Sequence, residues 1–234
     1  MRRLAATLAL LVASGLAGCG EDDENGGATT GAQPSPTATE AAPQQEEGSC
    51  RQVSAPAPKP EGEEKEPKEK LDPDKKYELE VGTSCGRFTI ELDAEAAPNT
   101  SASLVALARN DFYDGTTFHR IVPGFVIQGG DPTASGSGGP GYSTRDKPPS
   151  GAKYTTGVVA MAKTPEEPPG TAGSQFYVVT GSDAGLPPEY AIVGSVSSGL
   201  DVVQRIGLLG DPASGEAGTP TQPVVIDDVE VKES

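Results

Sequence analysis

The sequence predicts a mainly β domain, a closed antiparallel eight-stranded barrel capped by two helices. Eight short runs alternate apolar with polar residues or are continuously apolar, turn residues separate them, and only two stretches carry helical spacing. Residues 77–81 and 88–92 alternate as half-buried strands do, with Gly82-Thr83-Ser84 expected as the turn between them. Pro98-Asn99-Thr100 opens the first helix, with Asn99 or Thr100 expected as its cap and Leu104, Leu107 and Ala108 on one face. Asp114-Gly115 is a turn. Further strands are expected over 118–122, 126–129, 157–161, 175–179, 191–196 and 224–231, and a second helix over 198–206. There is no internal repeat.

This domain, 77–234, is large enough for one sizeable core. The residues before it differ in kind. Arg2 and Arg3 precede an apolar run over 4–16 that is shorter than the about 20 residues a membrane span needs and fits the apolar region of a signal peptide. The quartet Leu16-Ala17-Gly18-Cys19 resembles the lipobox of bacterial lipoproteins, which implies a signal peptide over 1–18 and a lipid on Cys19. Residues 19–76 are rich in Gly, Thr, Pro, Glu and Lys and hold no aromatic residue until Tyr77, so they are expected to form a disordered linker. The formal charge of −16 excludes non-specific binding to nucleic acid and opposes attraction to anionic lipid, which leaves the lipid as the expected membrane attachment.

The most specific stretch is Phe118-His119-Arg120-Ile121-Val122-Pro123-Gly124-Phe125-Val126-Ile127-Gln128-Gly129-Gly130-Asp131. It resembles the signature of cyclophilins. Gly157-Val158-Val159-Ala160-Met161-Ala162 with Gly173-Ser174-Gln175-Phe176-Tyr177, and then Tyr190-Ala191-Ile192-Val193-Gly194-Ser195-Val196, are similar to that family's later blocks, in matching order. The resemblance implies a cyclophilin-like barrel and peptidyl-prolyl cis–trans isomerase activity. It implies Arg120 as the catalytic hydrogen-bond donor. Phe125, Val126, Tyr177 and Leu186 fall at proline-pocket positions, Gln128 at the glutamine that holds the substrate carbonyl, Ala162 and Lys163 at the edge that pairs with peptide, and Gln175 and Tyr190 at further groove positions. Read without the family, Phe125, Val126 and Tyr177 are equally compatible with an ordinary core, since spacing alone does not separate the two. His119, the single histidine, is read as structural because the reaction moves no proton.

No cofactor or metal is expected: one histidine and three cysteines offer no ligand spacing. Gly136-Ser137-Gly138-Gly139-Pro140-Gly141 fits a nucleotide-loop pattern but opens no helix. The expected partners are proline-containing segments of exported proteins, met by a monomer anchored outside the cytoplasm on a bacterial cell membrane. The alternative is a module of the same fold that holds proline-containing segments as a chaperone or scaffold with little catalysis.

The chain departs from the family pattern at the groove rim. Gly185 stands where a tryptophan is usual, Tyr190 for a histidine, Tyr177 for a phenylalanine, Val126 for a methionine and Lys163 for an asparagine. The loop over 164–172 is longer than usual. With Cys19 lipidated, Cys50 and Cys85 remain; in an oxidising compartment they can pair, or stay two unrelated thiols.

Overall fold

A computed structural model describes residues 48–234; the expected signal segment, Cys19 and the first half of the expected linker lie outside the described residues. The first hairpin joins β1 (Tyr77–Thr83) to β2 (Gly86–Leu92). Its turn is at Ser84-Cys85 rather than at the expected Gly82-Thr83-Ser84, because Gly82 and Thr83 stay laddered to Arg87 and Gly86. The Thr83 hydroxyl donates to the Gly86 carbonyl at 2.6 Å and accepts from the Cys85 N–H at 3.0 Å, and Gly86 takes the positive φ of 117° that closes the turn.

The first helix, α1 (Pro98–Arg109), has no local side-chain cap, which corrects the expectation for Asn99 or Thr100. Its acceptor comes from far along the chain. Asp146 takes the Thr100 N–H and the Thr100 hydroxyl, each at 2.7 Å, while Asn99 donates to its other oxygen at 2.7 Å. The strands that follow are β3 (Arg120–Val122), β4 (Val126–Gly129), β5 (Thr144–Arg145), β6 (Val158–Met161), β7 (Thr171–Ala172), β8 (Phe176–Val179) and β9 (Ile192–Ser198). Then come α2 (Leu200–Gly207), a 3-10 helix over Pro212–Ala217, and β10 (Ile226–Glu233). The β5–β7 ribbon and the 3-10 helix were not expected; two-residue strands carry no readable alternation, and the 3-10 segment buries no residue.

Eight strands form one antiparallel sheet in the order β10-β1-β2-β9-β6-β8-β4-β3. The sheet curls, but it is not a closed barrel, which corrects the expected closure. Its edges β10 and β3 share no ladder; near them the chain makes an isolated bridge, Thr117 to Val225, with backbone bonds from Phe118 to Val224, from Ile226 to Thr116 and from Gly115 to Ile226. A three-residue β3 is too short to continue that pairing, and Pro223 has no N–H to give.

The concave interior holds Leu79, Val81, Phe88 and Ile90 against Leu104 and Leu107 of α1. Tyr113, Phe118 and Phe176 meet there edge to face at 5.9 and 6.0 Å. A second, smaller cluster of Val126, Tyr154, Ala160, Tyr177 and Val179 lies apart from it. Strand alternation produces the split. On β8, Phe176 and Val178 join the main core while Tyr177 and Val179 join the second cluster; on β4, Ile127 joins the main core and Val126 the second.

Residues 48–76 do not form the expected free linker. They run as an extended strap along the domain, with Arg51 N–H bonded to the Ser84 carbonyl at 2.7 Å, Lys59 N–H to Pro132 at 2.8 Å and Gly62 N–H to Gly139 at 3.0 Å. Leu71 and Cys50 pack against the main core, and a disulfide joins Cys50 to Cys85 in the first hairpin. Among the described residues no helix is long and apolar enough to cross a membrane.

Candidate active site

The second cluster is the floor of an open groove of about 530 Å³, lined by Arg120, Phe125, Val126, Tyr177, Leu186 and Tyr190 among others. Register explains how these side chains meet. Arg120 on β3 sits opposite Gln128 on β4, Gln128 opposite Tyr177 on β8, and Tyr177 opposite Ala160 on β6. Directly opposed residues share a face, so three ladders carry one row of side chains from the cation to the apolar floor. Val126, two residues from Gln128, shares that face by the same alternation.

Arg120 is half-buried at one end of the row and held at two points. Its Nε donates to the Glu216 carbonyl at 3.0 Å and its Nη1 to Gln128 Oε1 at 3.2 Å. Gln128 Nε2 donates to Gln175 Oε1 at 3.0 Å, and Gln175 Nε2 donates to the Gly138 carbonyl at 2.9 Å. A guanidinium has five N–H groups. Those not held by Glu216 and Gln128 remain for a ligand in the groove. Burial pushes the Arg120 pKa down, against the pull of Glu216 and Tyr190, yet an arginine stays charged throughout the physiological range. The cation also lies 5.8 Å from the centre of the Phe125 ring.

Glu216 is a residue that sequence reasoning missed. It sits in the 3-10 helix, whose Pro-Ala-Ser-Gly-Glu run has no apolar period. The loop reaches Arg120 because Gly218 accepts from the Ile121 N–H at 2.7 Å with a φ of 64°. A side chain at Gly218 would meet Val122 at 2.7 Å and Arg120 at 2.9 Å, so only glycine lets the loop lie on β3.

The opposite wall is built around tyrosines. The Tyr154 hydroxyl donates to the Tyr190 carbonyl at 2.8 Å and accepts its N–H at 3.1 Å; Tyr190 then stands edge-on to Tyr154 and Tyr177. The Lys163 side chain is 2% exposed, donates to the carbonyls of Thr164 and Glu167, pairs with Glu189 at 3.3 Å and lies 5.5 Å from the centre of the Tyr190 ring. Its charge therefore braces the wall and does not face the groove as a free cation. Ala162 lines the edge between them, and its N–H is already bonded to the Gln175 carbonyl at 2.9 Å. Gly185 is exposed, with a φ of 63° and open space around it. His119 is on no groove wall; burial pushes its pKa down, opposed by Asp131. The Gly136–Gly141 loop carries no phosphate cradle: the N–H groups of Gly136 and Gly138 point to the buried Asp131 carboxylate.

Among the described residues the Tyr177 hydroxyl is buried without a hydrogen-bond partner, and burial pushes its pKa far up. Leaving a buried hydroxyl unpaired costs roughly 1–3 kcal/mol. Tyr177→Phe removes the hydroxyl and keeps the ring, so it is expected to raise stability by about 1 kcal/mol or more without loss of turnover. Chemical denaturation of both proteins checks this; a variant less stable than the parent would mean that the hydroxyl is satisfied.

The chain is similar to known proteins over this same region. The model of the family described as cyclophilin-type peptidyl-prolyl cis-trans isomerase/CLD matches residues 77–231. Peptidyl-prolyl cis-trans isomerase ppi1 of Schizosaccharomyces pombe is 39% identical over 152 residues, which span 63% of this chain and 94% of that one. Peptidyl-prolyl cis-trans isomerase-like 1 of Aspergillus fumigatus is 41% identical over 131 residues, 54% of this chain and 80% of that one. The crystal structure of a cyclophilin-type isomerase of Cryptosporidium parvum superposes with a TM-score of 0.61 at 29% identity, covering 67% of this chain and 98% of that one. The same protein crystallised in the presence of the dipeptide Ala-Pro gives 0.59, over 66% of this chain. With the matched family, the groove and its row of Arg120, Gln128 and Tyr177, this chain belongs to the cyclophilins and is an isomerase of the peptidyl-prolyl cis–trans type.

Proposed function

We propose that the groove holds an X-Pro segment with the proline ring on Phe125, Val126, Tyr177 and Leu186, and that Arg120 donates to the prolyl nitrogen as the amide twists. Rotation about a peptide bond faces a barrier of about 18–20 kcal/mol because the nitrogen lone pair is delocalised. Before proline the two planar forms differ by only about 0.5–1 kcal/mol, yet they exchange over tens to hundreds of seconds. Catalysis therefore requires a site that binds the twisted amide better than either planar form. Twisting returns the lone pair to nitrogen, which then accepts a hydrogen bond. The observation that carries this reading is the fixed guanidinium at the end of an apolar floor, held by Glu216 and Gln128 with donors still open. Gln128 and Gln175, bonded to each other, would steady the flanking carbonyl. Cis/trans exchange of a short Ala-Pro peptide, followed by NMR with and without the protein, tests it; binding without accelerated exchange would favour a holding module instead.

The setting is also a proposal. Lipidation of Cys19 would place the domain outside the cytoplasm on a bacterial membrane, acting on exported chains. The paired Cys50 and Cys85 support an oxidising compartment. Radiolabelled fatty acid in the wild type but not in Cys19→Ser, together with loss of the variant from the membrane fraction, is the expected result.

Cyclosporin is expected to inhibit poorly. Its usual rim tryptophan is replaced by the exposed Gly185. Loss of a large aromatic anchor commonly costs 2 kcal/mol or more, about 30-fold in affinity. Gly185→Trp has open space but must adopt the positive φ at a cost of about 1–2 kcal/mol, so it should recover only part of the inhibition. Stoichiometric inhibition of the wild type in a titration would show that another residue fills that place.

A further inference from the structure

A second cavity, of about 560 Å³, opens beside the groove and shares Gln128, Ala162 and Lys163 with it. A chain lying in the groove and passing that shared edge would bring a flanking side chain to the mouth of this cavity. Its far wall is the loop over 136–143, and its mouth carries Glu61 from the strap. Glu61 lies outside the residues matched by the family model, whereas the loop over 136–143 lies within them.

The strap is seated there by its backbone. Gly62 N–H bonds to the Gly139 carbonyl at 3.0 Å and Glu64 N–H to the Pro140 carbonyl at 2.9 Å. A side chain at Gly62 would lie 2.8 Å from Phe112 and 2.9 Å from both the Gly139 carbonyl oxygen and Pro140, so glycine permits the close approach. The Gly139 N–H then donates to Glu61 Oε1 at 3.0 Å, which fixes the carboxylate at the cavity mouth. Glu167 adds a second carboxylate to the lining. The single cation of the lining, Lys163, is already bonded to Thr164, Glu167 and Glu189, and its side chain is 2% exposed. The cavity thus offers negative charge with no free positive charge to balance it.

We infer that Glu61 is a specificity-determining residue: the cavity takes a lysine or arginine side chain from a position flanking the proline. This rests on the groove being the isomerase site. An exposed ion pair contributes roughly 0.2–1 kcal/mol, so the effect is a preference and not a requirement.

The experiment uses the full chain in detergent. NMR exchange gives kcat/KM for Ala-Pro peptides carrying Lys, Ala or Glu two residues before the proline, and for a second set carrying them two residues after it. In one set the Lys peptide should exceed the Glu peptide by about 2- to 5-fold, mostly through KM, and the ratio should shrink at high salt. Glu61→Gln keeps an acceptor for Gly139 but removes the charge, and should bring the ratio toward one. Equal rates for Lys and Glu peptides in both sets, or a ratio that Glu61→Gln leaves unchanged, overturns the inference while the catalysed exchange itself stands. Absence of catalysed exchange with every peptide overturns the isomerase reading and this inference with it.

Discussion

Arg120→Ala is expected to slow catalysed exchange of an Ala-Pro peptide by roughly 10- to 150-fold, the loss that follows from removing one charge-assisted hydrogen bond of about 1.5–3 kcal/mol. The apolar floor of Val126 and Tyr177 does not depend on Arg120, so peptide binding should weaken far less than turnover falls. The substitution also frees the Glu216 carbonyl and Gln128 Oε1, but both lie at the groove edge where water can replace the guanidinium. Arg120→Lys keeps the charge and loses the fork that reaches Glu216, Gln128 and substrate together, so it should recover only part of the rate. NMR exchange rates, with circular dichroism to show an intact fold, measure the effect. Full activity in Arg120→Ala would mean that another group stabilises the twisted amide.

The second large effect concerns the disulfide. Cys50 and Cys85 are 35 positions apart, and the chain-entropy model for a loop of that length gives about 3–4 kcal/mol. For a domain of this size each kcal/mol moves Tm by about 2–4 °C. Thermal unfolding in dithiothreitol should therefore begin roughly 6–16 °C lower than in its absence. The loss should be local as well as global. The bond ties the start of the strap to the first hairpin, next to the Arg51 N–H bond to Ser84. After reduction, amide exchange should quicken first over 51–64, before the core strands open. Cys50→Ser should reproduce the strap effect without a reductant. A Tm unchanged by dithiothreitol, with the bond confirmed as reduced, would show that the strap is held by its backbone bonds alone.

Glu61 and Glu216 mark the limits of reading the site from sequence. Both act through loops that lie close only because Gly62 and Gly218 have no side chain. Neither loop carries an apolar period, and the partners they bring together are far apart in the chain. The cap of α1 is similar in kind: Asn99 or Thr100 was expected to serve its own helix, but the acceptor is Asp146, supplied from far along the chain.

What the sequence by itself determined was the eight strands of the large sheet and the family, and with the family a set of groove residues to look for. Alternation of period two marks a strand wherever one face is buried, and the run from Phe118 to Asp131 is specific enough to name the family. Alternation does not say which face is which. Only the curl of the sheet separates Ile127, Phe176 and Val178 in the core from Val126 and Tyr177 in the groove floor. Closure was decided in the same way: the short β3 and Pro223 leave the edges β3 and β10 without a ladder, a matter of register across more than a hundred residues. The strap shows the reason most plainly. Its composition cannot bury enough apolar surface to order itself, so composition predicts disorder. It is ordered instead by backbone hydrogen bonds to loops and by one covalent bond, and those partners exist only once the rest of the chain has folded.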